Sequence, residues 1–396
     1  MSDETKASAT VSDYLRWRGD LTFAQDGFNE VDNLLLCIIS YIKLENIPRL
    51  RSFDPQDAMP MGDVCRLLTE EDEQLGLSTL DYIPLMRQAA ETPRFREVSL
   101  FAFESLHDED RQMQFAAVSF LLPDGSVYAA YRGTDMTIVG WQEDFNMSFL
   151  SAVPAQVKAA EYAGAVARAC PGRALRIGGH SKGGNLAAWA AVHLDEKLQR
   201  QRLIAAYNND GPGFSRDLVD TPSYQAVADR LFTYIPASSI VGVLLEHAED
   251  YEVVDSTARS IMQHEPLSWC VEGPRFVHLG QRSQLGQLSD GVLREWIGSM
   301  SPREREQFSR AFFDILSRGG RTKTLEDLRS GGLAAGAALI REYAGADEEK
   351  KKIISEIFRR LAVDVKDELV KAAGAGVRRA GESILATGQA IADLRK

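Results

Sequence analysis

The segment that most constrains the fold is a glycine-rich turn around one serine. It reads Ile-Gly-Gly-His-Ser-Lys-Gly-Gly-Asn over residues 177–185 and contains G-x-S-x-G at Gly179, Ser181 and Gly183. A short apolar run precedes it and a helical sequence follows at once, so strand and helix approach too closely for a Cβ at either glycine. The pattern predicts a nucleophile elbow, with the N–H of Lys182 at the helix N-terminus as an oxyanion donor. An ordinary tight turn with a capping serine is the simpler alternative.

Short runs of β-branched and aromatic residues alternate with helical stretches through the middle of the chain. They predict strands over residues 98–103, 115–122, 127–131, 175–178, 203–207, 231–234 and 251–254. Helices are predicted over 155–169 and 185–194. An opening hairpin followed by alternating strands and helices indicates an α/β fold with a parallel sheet. We expect a helical segment over residues 1–95, an α/β core over 96–300 and a helical extension over 301–396.

Composition and charge narrow the class of partner. The chain has 57 acidic and 45 basic residues and a formal net charge of −12, so it repels phosphate backbones and no nucleic-acid partner is expected. Its cysteines are widely spaced and form no CxxC pair, which favours buried free thiols over a metal site: Cys37, Cys65, Cys170 and Cys270. The polar N-terminus does not resemble a signal peptide, and the longest apolar run, 34–42, is too short to span a bilayer. We expect a cytoplasmic protein.

A second glycine turn follows the predicted strand 127–131. The sequence Arg-Gly-Thr occupies residues 132–134, and Trp141 and Asp144 follow it. A tetrahedral intermediate needs two N–H donors, and the second usually comes from a loop after an early strand. Thr134 offers both an N–H and a hydroxyl for that purpose. A plain β-turn explains the tripeptide equally well.

Together, the two glycine turns resemble those of the fungal-type class 3 lipases. In that family an Arg-Gly-Ser/Thr loop supplies an oxyanion donor, so the resemblance implies this role for Thr134, with Trp141 and Asp144 as supports. The chain is more similar to a bacterial family of unknown function within the lipase-like α/β-hydrolases, over about residues 10–330. The closer match rests on four segments: residues 14–20, 28–32, 210–214 and 263–264. The resemblance implies the α/β-hydrolase fold and the reaction class.

The candidate histidine follows from chain order. This fold places the serine first, then the acid, then the histidine, so only histidines after the acid qualify. His247 is predicted on a surface helix and His278 at a strand end. His264 lies in a loop-like stretch after the strand that ends near Val254, and a loop best lets an imidazole reach over the sheet edge. We therefore take His264 as the general base, which the resemblance also favours.

The candidate acid is Asp210, which follows the predicted strand 203–207. Its setting resembles the aspartate turn of pancreatic-type lipases, whereas class 3 lipases place the acid one strand later. Here the later segment, residues 235–241, contains no carboxylate. This departure favours Asp210 as the residue that orients His264. A Gly-Pro turn with an Asx cap is the structural alternative, and three other carboxylates remain open: Glu246, Asp250 and Asp255.

Ser181, His264 and Asp210, with the N–H groups of Lys182 and Thr134, predict hydrolysis of a carboxylic ester through an acyl-enzyme. This chemistry needs neither a metal nor an organic cofactor. The resemblance implies a small-molecule or lipid ester as substrate. Two alternatives remain open: a catalytically idle scaffold used for binding, suggested by the missing carboxylate, and acyl transfer to an acceptor other than water.

The last hundred residues are rich in Ala, Glu, Lys and Arg and are predicted to be wholly helical. Apolar residues form one stripe from Ile353 to Leu369, and basic residues flank it. The stripe suits peripheral contact with a membrane surface. Packing on the core or self-association through these helices is the alternative.

Overall fold

The computed structural model describes residues 8–69, 82–134, 138–147, 150–239, 241–283 and 299–318, together with 348, 351–353 and 355. The chain divides into two compact units. The first comprises Met1–Asp135 and Pro154–Arg282, and the second comprises Met136–Val153 and Ser283–Lys396. The division into 1–95, 96–300 and 301–396 stays a prediction.

The first unit is built around a β-sheet. Its strands are β1 (Met59–Pro60), β2 (Ser99–Asp108), β3 (Met113–Leu121), β4 (Val127–Tyr131), β5 (Leu175–His180), β6 (Leu203–Asn209), β7 (Leu231–Pro236), β8 (Tyr251–Val254), β9 (Val271–Glu272), β10 (Arg275–Phe276) and β11 (His278–Leu279). In the described part of the chain, nine of them form one sheet in the order β1-β2-β3-β4-β5-β6-β7-β8-β11. Strands β4 to β8 are parallel, and the flanking pairs are antiparallel. The predicted α/β-hydrolase fold is confirmed.

The strand sequences explain this arrangement. All five residues of β4 are buried, as expected of a strand covered on both faces. The hairpin that pairs β3 with β4 turns at Gly125, whose φ of 83° suits a residue without a Cβ. The seven predicted strands are all present, and two of them, β4 and β8, have the predicted bounds.

The helices are α1 (Val11–Arg18), α2 (Glu30–Ile39), α3 (Met61–Leu67), α4 (Tyr82–Glu91), α5 (Ile138–Asn146), α6 (Pro154–Ala169), α7 (Lys182–His193), α8 (Glu196–Gln201), α9 (Arg216–Val219), α10 (Pro222–Gln225) and α11 (Pro302–Arg318). Helices α5 and α11 belong to the second unit and the others to the first. Among the helices described, none combines the length and apolar character needed to cross a bilayer.

The N-terminal helices are fixed by a buried ion pair. Arg94 is fully buried and donates to both carboxylate oxygens of Asp32 in α2. The Tyr14 hydroxyl of α1 donates to the same carboxylate at 2.8 Å. Asp32 also completes the N-terminal cap of α2 by accepting from the backbone N–H of Asn29 at 3.0 Å. The two N-terminal motifs of the closer resemblance therefore hold α1 and α2 in place.

In the second unit, α5 and α11 contact each other. The Phe145 and Phe308 rings lie 5.4 Å apart, and Ser309 Oγ donates to Asn146 Oδ1 at 2.8 Å. The predicted helical extension is observed over Pro302–Arg318. Apart from a few positions between 348 and 355, the rest of the predicted helical extension and most of the predicted apolar stripe lie outside the described residues.

Candidate active site

Ser181 occupies the turn between β5 and α7. Its φ of 59° lies in the left-handed region, which a residue with a side chain adopts only at a cost. A Cβ on Gly179 would collide with the backbone of Gly183, and a Cβ on Gly183 would collide with the carbonyl of Tyr131. The Ser181 N–H donates to the carbonyl of Asn209 at the end of β6, at 2.9 Å. Crowded backbone thus surrounds the serine and defines its position.

Asp210 comes directly after β6, the strand next to the elbow, and also has a positive φ, 54°. Its carboxylate is fully buried. It accepts hydrogen bonds from His264 Nδ1 at 2.6 Å, Ser239 Oγ at 2.7 Å and the Gly242 N–H at 3.1 Å. Three donors offset the desolvation cost of a buried carboxylate.

His264 ends the short 3-10 helix Ser260–His264. Because its Nδ1–H donates to Asp210, the neutral ring carries its lone pair on Nε2. The adjacent Gln263 anchors this segment: its Oε1 accepts from the Ser238 N–H at 2.7 Å, and its carbonyl accepts from the indole of Trp269 at 3.0 Å. The His264 side chain is 14% exposed, whereas the side chain of Asp210 is fully buried.

The other carboxylates considered have different surroundings. Glu246 and Asp250 are exposed. Asp255 accepts a hydrogen bond from the N–H of its neighbour Ser256 at 2.8 Å. Asp210 is the candidate that the structure brings into contact with His264.

The prediction that His247 lies on a surface helix is wrong. Leu245 has a φ of 67°, which is incompatible with a continuing helix, and Glu246 instead forms a β-bridge with Phe214. The His247 side chain is only 4% exposed, and its Nδ1 lies 3.1 Å from Oε1 of Glu249. Burial of His247 beside the Glu249 carboxylate therefore overrides the local sequence pattern that predicted a surface helix. The remaining candidate histidine, His278, is the first residue of β11, and its Nε2 lies 2.9 Å from Oε1 of Glu30.

The predicted oxyanion groups lie beside the elbow. Thr134 is buried, and a Cβ on the preceding Gly133 would lie only 3.0 Å from that of Ser181. Lys182 is the first residue of α7, where backbone N–H groups have no partner within the helix. Its buried Nζ donates to the carbonyl of Gln114 at 2.7 Å and to that residue's side chain at 2.5 Å. The Lys182 side chain thus anchors the start of α7 to Gln114 of β3.

The Mbeg1-like family model matches residues 89–314, more than half of the chain. The chain belongs to the Mbeg1-like family. No curated protein matches it. The predicted relationship to lipase-like α/β-hydrolases is confirmed at the level of family and fold.

Two solved lipases are similar to this Mbeg1-like chain. The Rhizomucor miehei lipase in its propeptide complex is 16% identical, with 44% of this chain and 72% of that chain covered and a TM-score of 0.32. The M37 lipase is 15% identical, with 55% of this chain and 70% of that chain covered and a TM-score of 0.36.

Three further residues of this Mbeg1-like site were not predicted from the sequence as site residues. Ser239 lies in the segment noted only for lacking a carboxylate, and its hydroxyl bonds to the acid. His180 and Tyr41 are buried beside the elbow: the Tyr41 hydroxyl lies 3.0 Å from His180 Nδ1, and His180 Nε2 lies 2.8 Å from the carbonyl of His264. Burial, aided by the nearby His264, holds the pKa of His180 well below its usual range. A contact between residues so distant in sequence leaves no local pattern.

Two supports implied by the class 3 resemblance lie on α5 of the second unit. Asp144 is half-buried there. The side chain of Trp141 lies outside the described residues. Their bracing role stays a prediction.

No metal centre is found among the residues that the structure describes, because no three His, Cys, Asp or Glu side chains are grouped suitably. The four cysteines are free thiols, and three of them are buried: Cys37, Cys170 and Cys270. Burial raises the pKa of Cys37 to about 12, which keeps this thiol protonated and unreactive.

Proposed function

We propose that the chain hydrolyses carboxylic esters through an acyl-enzyme on Ser181. The observation that carries the proposal is the 2.6 Å contact between His264 Nδ1 and the buried carboxylate of Asp210. A carboxylate in this position selects the tautomer in which Nε2 can accept a proton, and it stabilises the imidazolium that then forms. The strained Ser181, in the turn that follows the neighbouring strand β5, supplies the nucleophile.

In acylation, Ser181 Oγ attacks the ester carbonyl carbon while Nε2 of His264 takes the hydroxyl proton. The N–H groups of Lys182 and Thr134 donate to the oxyanion as it forms. The tetrahedral intermediate then collapses, its bond to the alcohol oxygen breaks, and His264 returns the proton to the leaving alcohol. The acyl group remains on Ser181.

In deacylation, His264 removes a proton from water, which attacks the acyl carbonyl carbon. The second tetrahedral intermediate uses the same oxyanion donors and releases a carboxylic acid. The proton returns to Ser181 Oγ. The chain, the ester and one water molecule supply every group, so the cycle closes without a cofactor.

The substrate class follows from the lipase-like relationship alone, and we propose a lipid or small-molecule ester in the cytoplasm. The idle-scaffold alternative rested on the missing carboxylate after β7. Ser239 at that position donates to Asp210, which gives the absence another explanation. We therefore favour a catalytically active protein over an idle scaffold.

The test is covalent labelling combined with a p-nitrophenyl ester series of increasing chain length. A fluorophosphonate probe should label the intact protein at Ser181, and Ser181→Ala should abolish labelling. The same substitution should lower ester hydrolysis by on the order of 10³-fold or more, because the catalytic residues act as a unit. Absence of labelling in the folded wild type, or substantial hydrolysis by Ser181→Ala, would reject this nucleophile. Transfer of the acyl group to an added alcohol in preference to water would instead indicate an acyltransferase.

A further inference from the structure

We propose that Tyr41 and His180 are positioning residues. Together they connect the oxyanion loop, residues 132–134, on one side of Ser181 to the main chain of His264 on the other side. The inference rests on the proposed function, since it assigns these residues a part in the same site. It is carried by a continuous set of contacts from Gly133 through Tyr41 and His180 to His264.

The first part of this bridge connects the oxyanion loop to the elbow. The buried hydroxyl of Tyr41, which follows α2, lies directly against the backbone of Gly133. A Cβ on Gly133 would collide with this hydroxyl and with the carbonyl of His180, so the loop lies directly against both. Movement of Tyr41 would therefore displace the backbone next to Thr134.

The second part connects the elbow to the catalytic histidine. His180 Nε2 lies 2.8 Å from the carbonyl of His264, and because a carbonyl only accepts, this nitrogen must carry the proton. In the neutral ring, Nδ1 is then an acceptor, and the Tyr41 hydroxyl, 3.0 Å away, is the donor placed to reach it. The same hydroxyl lies 3.2 Å from the carbonyl of His180, so both acceptors of His180 hold Tyr41 against the elbow.

The bridge requires a neutral His180. The His180 and His264 rings lie 4.6 Å apart, and His264 becomes positively charged during acylation. A charged His180 would repel it and would lose the acceptor at Nδ1. Burial, with a contribution from His264, keeps the pKa of His180 well below its usual range. Among the described residues, the titratable groups in contact with its ring are His264, in the 3-10 helix, and Tyr41, which follows α2.

A purely structural role would predict a different outcome. Loss of a buried hydroxyl lowers stability wherever it occurs, but loss of positioning lowers the rate of reaction at Ser181. Tyr162 provides the matched control, because its buried hydroxyl donates to the carbonyl of Ala102 at 2.7 Å and bonds to Ser119 at 2.9 Å. These partners lie on β2 and β3, apart from the catalytic residues.

The first experiment measures fluorophosphonate labelling rates and p-nitrophenyl ester kinetics for the folded full-length variants. Tyr41→Phe and His180→Phe should lower the labelling rate and kcat by roughly 10- to 100-fold with little change in KM, because small displacements of catalytic groups are costly. His180→Gln keeps a donor near the Nε2 position and should retain more activity than His180→Phe. Tyr162→Phe should react at close to the wild-type rate. Equal rates in Tyr41→Phe and Tyr162→Phe, with wild type active, would overturn the bridge while leaving the proposed function intact.

The second experiment needs no activity. Imidazole ¹⁵N spectra of the wild-type protein should show His180 as the neutral Nε2–H tautomer throughout the range where an ordinary histidine titrates, and Tyr41→Phe should shift its Nδ1 resonance. A protonated His180, or the Nδ1–H tautomer, would overturn the bridge. If wild type is not labelled but the spectra agree, the proposed function fails and the hydrogen-bonded bridge stands.

Discussion

Ser239 Oγ donates a 2.7 Å hydrogen bond to the same oxygen of Asp210 that lies 2.6 Å from His264 Nδ1. The serine follows β7, where the class 3 lipases that the chain resembles carry their acid. Asp210 follows β6. Two neighbouring strand ends thus meet at one carboxylate oxygen, one of them supplying the charge and the other a hydroxyl.

Removal of that hydroxyl should impair the acid without eliminating it. In Ser239→Ala, Asp210 keeps its bonds to His264 and to the Gly242 N–H. Loss of one buried donor corresponds to about 1–3 kcal/mol, so kcat/KM should fall roughly 5- to 160-fold. Ester kinetics would measure the effect. Ser119→Ala is the control, because it removes a buried hydroxyl bonded to Tyr162 instead; an equal loss of activity there would contradict a specific role for Ser239.

Asp210→Asn preserves the shape of the acid and removes its charge. The amide cannot stabilise the imidazolium and can favour the wrong tautomer of His264, so kcat should fall by roughly 10² to 10⁴ with little change in KM. Asp255→Asn should be nearly silent, since Asp255 accepts from its own neighbour. Steady-state kinetics on both variants decide the assignment. The reverse result would transfer the acid to Asp255 and leave Ser181 and His264 in place.

Stability should depend on pH through His180. Its folded-state pKa lies well below 6.5, so below about pH 6.5 the unfolded chain binds a proton at this position that the folded chain does not. This contribution to stability is complete above that pH and is lost as pH falls towards the folded pKa, by up to about 1.4 kcal/mol per pH unit. Urea unfolding between about pH 5 and 8 should show the decline in wild type and a shallower one in His180→Gln. Parallel curves would exclude this linkage.

The buried ion pair under the N-terminal helices should dominate their stability. Arg94→Ala leaves Asp32 buried without its cation and should lower the free energy of unfolding by about 3–5 kcal/mol. The control is Arg18→Ala, which breaks a partly exposed pair with Asp26 and should cost less than about 1 kcal/mol. Urea denaturation measures both. Similar losses in the two variants would show that burial of the pair is unimportant.

The helical extension should be separable from the catalytic core. A chain truncated after Gly332 should keep its ester hydrolysis, because the proposed catalytic residues all precede that point. If the extension contacts membranes, the full chain should float with anionic vesicles and the truncated chain should not. If the full chain does not float and truncation instead causes aggregation, the apolar stripe packs on the protein itself.

Local sequence patterns predicted the elements that have a local cause. Strand β4 follows a Pro-Asp-Gly turn and consists of buried apolar residues, so its bounds were readable. Strands of two residues, such as β1 and β11, have no periodicity to detect. The contact between Tyr41 and His180 spans 139 residues, and no local rule connects its ends. The prediction of a surface helix at His247 failed because this residue is buried beside the carboxylate of Glu249, a contact that forms only in the folded chain.

The meeting of β6 and β7 at one carboxylate oxygen has an evolutionary consequence. A carboxylate at either strand end would lie close enough to serve the same imidazole, given the 2.7 Å contact between Ser239 and Asp210. A transfer of the acid between these adjacent strand ends therefore requires substitutions at only two positions, 210 and 239, and both lie outside the strands and the turn at Ser181. A search for the acid at one fixed position after one strand would overlook an enzyme that carries it after the other.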